Sequence, residues 1–278
     1  MKINKLIPIF LISVSCFSQT VTENFIDDGG IYVEKYDPTK SYDENYNSDN
    51  TIYTAGKQFI YFYYYQNSQG QKYLIKKGKE VKHPAGYSTF DWDFVEIEKQ
   101  DDETILQLIL KPDLGNPFKN NPEYNQTSIS YYYVMKNGDS FVSETTGAIE
   151  NMLNVWIHPP RSIFFKILEL NPFPNIKSPY EIGSKWNWNL GIGDFWSDER
   201  WLKWEGSIVN NIEYEIVDRK NISTKMGDLE CYIINATAKS RIGETGLISY
   251  FNNDFGFVKL EYTNIDGTKT ILELEKVE

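Results

Sequence analysis

The stretch from Lys185 to Ile208, KWNWNLGIGDFWSDERWLKWEGSI, holds five of the chain's seven tryptophans. It also sets carboxylates at Asp194, Asp198, Glu199 and Glu205, and a guanidinium at Arg200, among those rings. Flat apolar faces beside hydrogen-bonding Asp and Arg side chains suit stacking on a sugar or anchoring a partner. Phe195, Trp196, Trp201, Asp194, Asp198 and Arg200 are therefore the candidate ligand-binding residues. Two of the four carboxylates could also flank a glycosidic bond as acid and base or nucleophile. Against both stands plain burial, in which the loop folds back and its rings cap an open end of a sheet.

Other chemistries find less support. His83 and His158 each precede a proline, with no nucleophile-elbow motif anywhere, so they are expected in turns or packing. Two histidines without a His-x-x-x-His pair, and no cysteine pair, do not make a zinc site. Asp43, Asn45, Asn47 and Asp49 alternate as calcium ligands do, yet Ser48 and Thr54 stand where that loop needs Gly and Glu. Asp91 and Asp93 read as solvated acids on an exposed strand face. No catalytic residue, metal or cofactor is assigned.

These residues must be positioned by strands. Trp186, Trp188, Leu190 and Ile192 alternate with Lys185, Asn187 and Asn189, the period of a half-buried strand. A second strand is expected from Arg200, with Leu202, Trp204 and Ile208 on one face and Trp201 on the other. The intervening residues are too long and glycine-rich for a tight turn. Upstream, Phe59 to Tyr65 reads as a central strand covered on both faces, and Lys72 to Lys79 as its partner, a sheet edge guarded by lysines. Phe90, Trp92 and Phe94 share a face, with a β-bulge expected near Phe94 and Val95. Ile105 to Leu110 is another two-sided strand, followed by a loop from Pro112 to Asn125. Asn137 and Gly138 mark a hairpin between Thr127–Met135 and Phe141–Thr145. Arg161 to Leu170 is the one helix, started by Pro159-Pro160 and stopped by Asn171-Pro172. The proline-rich 171–179 is a stiff connector and the place for any domain boundary. Short runs from Ile212 to Val277 complete an antiparallel meander.

Residues 1–19 carry Lys2 and Lys5, an apolar run to Phe17 and a small, polar exit, the pattern of a secretory signal too short to span a membrane. Its removal would take the formal charge from −11 to −13. Such a surface repels nucleic acid and anionic lipid heads. A rival reading makes Cys16 a lipidated first residue, although Ser13 stands where an aliphatic residue is expected. Residues 20–50 form a polar segment, within which Ser41 to Asn50 reads as a solvated loop. Cys231 is the one cysteine left after such a cleavage and is expected to be a small buried hydrophobe.

The C-terminal third resembles bacterial envelope domains of unknown function whose fold is like that of the lipoprotein-localisation factors. The residues that carry this are Tyr180 to Trp186, Thr224 to Tyr232, Tyr250-Phe251 and Gly256 to Lys259. The resemblance implies an all-β, mostly antiparallel fold over 51–278, a strongly curved sheet or half-barrel with the 161–170 helix packed on it. It also implies a concave apolar face, here including Trp186, Trp188, Trp204, Phe164 and Phe165. Such a face would hold an apolar or amphipathic ligand or an envelope protein partner; a glycan module or glycosidase using the 194–205 loop is the alternative.

Overall fold

The computed structural model describes residues 23–47, 49–82, 86, 88–117 and 125–278. The signal-like segment with Cys16, together with Ser48, His83 and part of the 112–125 loop, lies outside the described residues. A small hairpin, β1 (Phe25–Asp28) and β2 (Ile31–Glu34), is followed by a sheet that holds all the other strands described. The first half of the sheet is β3 (Phe59–Gln66), β4 (Lys72–Lys82), β5 (Ser88–Glu96), β6 (Thr104–Pro112), β7 (Thr127–Met135), β8 (Ser140–Glu150) and β9 (Asn154–Ile157). Then come β10 (Asn175–Lys177), β11 (Lys185–Ile192), β12 (Ile208–Thr224), β13 (Gly227–Ser240), β14 (Gly243–Asn252), β15 (Gly256–Thr263) and β16 (Lys269–Val277).

Every pairing is antiparallel, and the order runs β10-β9-β8-β7-β6-β4-β3-β16-β15-β14-β13-β12-β11, with β5 attached to β4. The two ends of that path, β10 and β11, follow one another in the chain. The sheet thus curls into a nearly closed, barrel-like surface. β16 pairs with β3, and Gln58 and Glu278 exchange backbone hydrogen bonds of 2.9 Å. Among the described residues, no helix is long and apolar enough to cross a membrane.

Alternation decides which side of each strand faces inward. In β3, Phe59, Tyr61 and Tyr63 are buried while Ile60, Phe62 and Tyr64 are half-buried, so the strand is covered fully on one face rather than both. In β12, Ile208, Asn210, Ile212, Tyr214 and Ile216 point inward. The lysine-bearing β4 is not an edge, because β5 pairs along it. Lys77 lies 4.0 Å from the Phe90 ring centre. The register shift expected in β5 lies in β4, between Lys77 and Glu80. There Gly78 passes so close that an added Cβ would be 2.8 Å from the Asp91 backbone.

The expected α-helix is a 3-10 helix, Ile163–Leu170, which we call the plug helix. Phe164, Phe165, Ile167, Leu168, Glu169 and Leu170 are all buried, so it is enclosed on nearly every side. The chain enters it through Ile163 at φ 51°, a costly conformation for a β-branched residue. Hydrogen bonds to the sheet hold that entrance. Glu144 Oε1 accepts from the Tyr133 hydroxyl at 2.6 Å and from Arg161 N–H at 2.7 Å, and Oε2 accepts from the Ser162 hydroxyl at 2.6 Å. At the far end, Leu170 C=O accepts from Asn210 Nδ2 at 2.9 Å and Thr245 Oγ1 at 2.7 Å. Asn171 Nδ2 donates to Gly246 and Thr263 carbonyls, and the Tyr214 hydroxyl donates to Phe173 C=O.

The 41–50 loop is not simply solvated, since Asn45, Tyr46 and Asn50 are buried. Before it Phe25, Ile31 and Val33 are buried, and after it Ile52 and Tyr53. The hairpin docks through side chains that imitate a neighbouring strand: Asn154 Oδ1 accepts from Tyr32 N–H at 2.7 Å and Asn154 Nδ2 donates to Tyr32 C=O at 3.2 Å. Gly30, at φ 111°, comes so near β11 that an added Cβ would be 2.1 Å from Asn187 O. Asn45, whose calcium-like spacing fails at Ser48 and Thr54, staples Asp37 and Ser41 through its side chain.

The plug should therefore carry much of the fold's cohesion. Phe165→Ala is expected to cost about 3–5 kcal/mol in urea denaturation, and a loss below about 1 kcal/mol would show that the interior collapses easily around a smaller side chain.

Candidate functional site

The tryptophan loop is built by local hydrogen bonds rather than by the second strand expected from Arg200. Asp198 C=O accepts from Trp201 and Leu202 N–H, and its Oδ1 accepts from Arg200 N–H at 3.0 Å. A side chain that captures nearby backbone in this way competes with ladder formation, and the strand begins only at Ile208. Residues Asp194–Trp196 form one 3-10 turn, and Asp194 Oδ2 accepts from Gly206 N–H at 2.8 Å.

Most polar candidates in this loop are already engaged. Arg200 holds Asp198 through two contacts of 3.0 Å, reaches Asp91 at 3.3 Å, and lies 4.0 Å over the Trp92 ring. Burial alone would raise the Asp198 carboxyl, but Arg200 and the Arg200 backbone N–H outweigh it and hold it below its ordinary range. Phe195 is 76 % exposed, whereas Trp196 and Trp201 are half-buried. Lys166 of the plug helix stands 4.8 Å from the Phe195 ring centre and Arg161 is 5.9 Å from that of Trp196. The loop lies back over the plug, leaving Phe195 as its most exposed ring.

The five residues expected on a concave binding face are packed interior. Trp186 stacks on Tyr214 at 5.3 Å, Trp188 meets Phe173 at 5.4 Å, and Phe165 lies edge-on to Tyr63 at 5.1 Å. Phe164 is wedged among Tyr65, Trp92 and Phe94, while Trp204 packs with Leu170, Ile192 and Ile208. The plug fills the concavity because its buried side chains and those of the sheet point at one another. His158 is part of this filling. Its Nδ1 lies 2.7 Å from Pro159 C=O and its Nε2 3.4 Å from Glu169 Oε1.

Open space lies elsewhere. A cleft of about 880 Å³ separates the N-terminal hairpin and its following loop from the sheet rim at the end of β8. Phe25, Tyr36, Ile52, Met152, Tyr180 and Phe251 give it apolar walls, and Glu34, Asp49 and Asn125 line it with polar atoms. Glu150 anchors one side: its two oxygens accept from Thr51, Ile52 and Tyr53 N–H and from the Thr51 hydroxyl at 2.7–2.9 Å. Glu34 hydrogen-bonds Asp49, and its carboxyl is raised by burial, by the Asp49 charge and by that bond, with Lys40 opposing. Of these residues the sequence draws attention only to Asp49, through a calcium-like spacing that fails at Ser48 and Thr54. One signal was present, since Glu150 is the sole acid in the apolar run Gly147 to Ile157.

No family model matches this chain, and no curated protein matches it. Three solved structures follow a similar path. A "putative lipoprotein" from Parabacteroides distasonis is 12 % identical, with a TM-score of 0.46 over 82 % of this chain and 97 % of that one. A "putative exported protein with YmcC-like fold" from Bacteroides fragilis is 10 % identical, with a TM-score of 0.39 over 82 % and 97 %. The "hypothetical lipoprotein YmcC" of Escherichia coli is 6 % identical, with a TM-score of 0.32 over 95 % of each. At such identities and scores none of the three bears on ligand or role.

The buried pair beside the plug has a measurable titration. Burial pushes the Glu169 carboxyl up to about 8, with Arg161 opposing and Glu144 adding, and pushes His158 down to about 3. The folded state thus keeps the Glu169 proton where the unfolded chain releases it. That contribution to stability is lost as pH rises from 4.5 to about 8. His158 works in the other direction: its contribution is full above 6.5 and lost as pH falls toward about 3. Between pH 6.5 and about 8, therefore, Glu169→Gln should flatten the fall in melting temperature relative to the unsubstituted protein. Parallel curves would show that Glu169 is already ionised in the fold.

Proposed function

We propose that this chain is an exported, non-catalytic binding protein of the cell envelope, and that the rim cleft, not the interior of the curved sheet, takes its amphipathic ligand. The observation that carries the reading is the pairing of a filled concavity with an open cleft of about 880 Å³, within the usual size of a small-molecule site. Its apolar walls suit the body of an amphiphile and its polar end suits a head group. The N-terminal signal pattern supports export. Against a glycosidase, Asp194 and Asp198 are tied into the loop's own hydrogen bonds.

A second contact surface is favoured by Phe195, whose exposed ring projects beside Trp196 at 5.4 Å, edge-on. It suits a protein partner or a glycan more than an acyl chain, being a tip rather than a hollow.

The two surfaces separate with the neutral fluorescent probe N-phenyl-1-naphthylamine. Saturable binding that weakens about tenfold in Met152→Asp, at a loss of roughly 1.4 kcal/mol, and survives Phe195→Ala is the expected result. The reverse pattern would move the site to the tryptophan loop. For export, the protein recovered from the envelope fraction is expected to begin at Thr20. A first residue at Cys16 carrying acyl mass would establish the lipoprotein alternative, and an intact Met1 would contradict export.

A further inference from the structure

The cleft is lined by the acceptors Glu34, Asp49 and Asn125, and by the Lys35 and Lys40 side chains. Glu34, the last residue of β2, shares a hydrogen bond with Asp49 on the loop after Glu44–Asn47. Asn125 is only 6 % exposed, and its side-chain oxygen has no hydrogen-bond partner. It lines the main cleft and also a water-sized recess of about 10 Å³ beneath it, which Glu34 and Glu150 line as well. Glu150 cannot accept further ligand bonds easily, since its oxygens already serve the 51–53 backbone. What remains is a set of acceptors, two carboxyls and one buried amide oxygen, below walls that include Tyr36, Phe25 and Tyr180.

We propose that this end of the cleft binds a primary ammonium group carried on an apolar or aromatic body, held by the Glu34 and Asp49 carboxyls and the Asn125 side-chain oxygen. The proposal rests on the cleft being the ligand site. An ammonium brings three donors and no acceptor, which matches three acceptors; a lone hydroxyl would leave two of them unmet. Charge-assisted bonds to carboxylates are the stronger kind, and the aromatic walls favour a cation's neighbouring carbons. A metal ion is a poorer fit, because among the described residues no three His, Cys, Asp or Glu side chains converge.

The other charged groups around this end do not replace the ligand. Lys35 donates to Glu23 C=O at 2.8 Å, Asp37 is turned to Thr39 N–H and hydroxyl, and Lys40 is exposed. Lys40 acts on Glu34 by charge alone. Binding replaces the Glu34 proton with the ammonium, and the proton goes to the buffer. Affinity should then rise with pH, by up to about tenfold per unit while Glu34 is still protonated in the free protein.

The test is isothermal titration of the mature chain with n-octylamine, octyl glucoside and sodium octanoate at several pH values between about 6 and 8, in buffers of differing ionisation enthalpy. The expected result is preferential n-octylamine binding with proton release, strengthening with pH. Glu34→Gln should weaken it about tenfold or more and remove the pH dependence. If Glu34→Gln does not melt cooperatively, Asp49→Asn, on an exposed position, replaces it with the same expectation. Octyl glucoside or octanoate binding as tightly as the amine, without pH dependence, would overturn the ammonium assignment while leaving the cleft as a site. Failure of all three probes to bind would remove both.

Discussion

An antiparallel sheet that curls until its first and last strands are joined by one short loop has an inner face that must be filled. Here the filler is one segment, from His158 through the plug helix to Ile176. Buried side chains alone would not fix it, since apolar contact is non-directional. Its ends are fixed by directional bonds: Glu144 gathers Tyr133, Arg161 and Ser162 at one end, and Asn210, Thr245, Asn171 and Tyr214 secure backbone groups at the other. Because these partners come from both halves of the sheet, the plug ties β7 and β8 to β12, β14 and β15. The awkward backbone at Ile163 is tolerable only within that framework.

Filling the interior leaves the largest described hollow on the outside of the barrel-like surface. The N-terminal hairpin creates the needed hollow because it docks by side-chain mimicry of a strand, through Asn151 and Asn154, instead of joining the sheet. A layer attached at one line and anchored again by Glu150 leaves a gap between those two attachments. That gap is the cleft, and its polar end draws on residues far apart in the chain: Glu34, Asp49 and Asn125. The tryptophan loop plays a different part. Its Arg200 and Asp198 are spent on one another, its Asp194 on the Gly206 N–H, and its rings cover Arg161 and Lys166 of the plug segment.

The strands were legible wherever alternation was strong. Lys185–Ile192, the Asn137-Gly138 hairpin and the closing meander all follow from period and turn chemistry, and together they define the antiparallel class. Misreadings came where a side chain overrode the pattern. Asp198 turned residues 198–202 into a local turn, although 200–208 alternates well enough for a strand. The apolar residues of 25–53 are sparse, and the alternating Ile31 and Val33 of β2 make a stripe too short to stand out among polar neighbours. Alternation places Trp186 and Trp188 inward, where they are buried, but period cannot say whether the inside is hollow. The cleft was illegible for the same reason: its acids and Asn125 meet only after the hairpin docks, and acids are common throughout the chain.

The claim that the interior is closed and the rim open can be tested by paramagnetic relaxation from a nitroxide-bearing amphiphile on the isotopically labelled protein. The account predicts that amide signals of Glu34, Asn151 and Met152 broaden while those of Ile167, Leu168 and Trp188 keep their intensity. Broadening concentrated at Ile167, Leu168 and Trp188, with the rim untouched, would mean that the plug yields to ligand and that the account of a filled sheet is wrong.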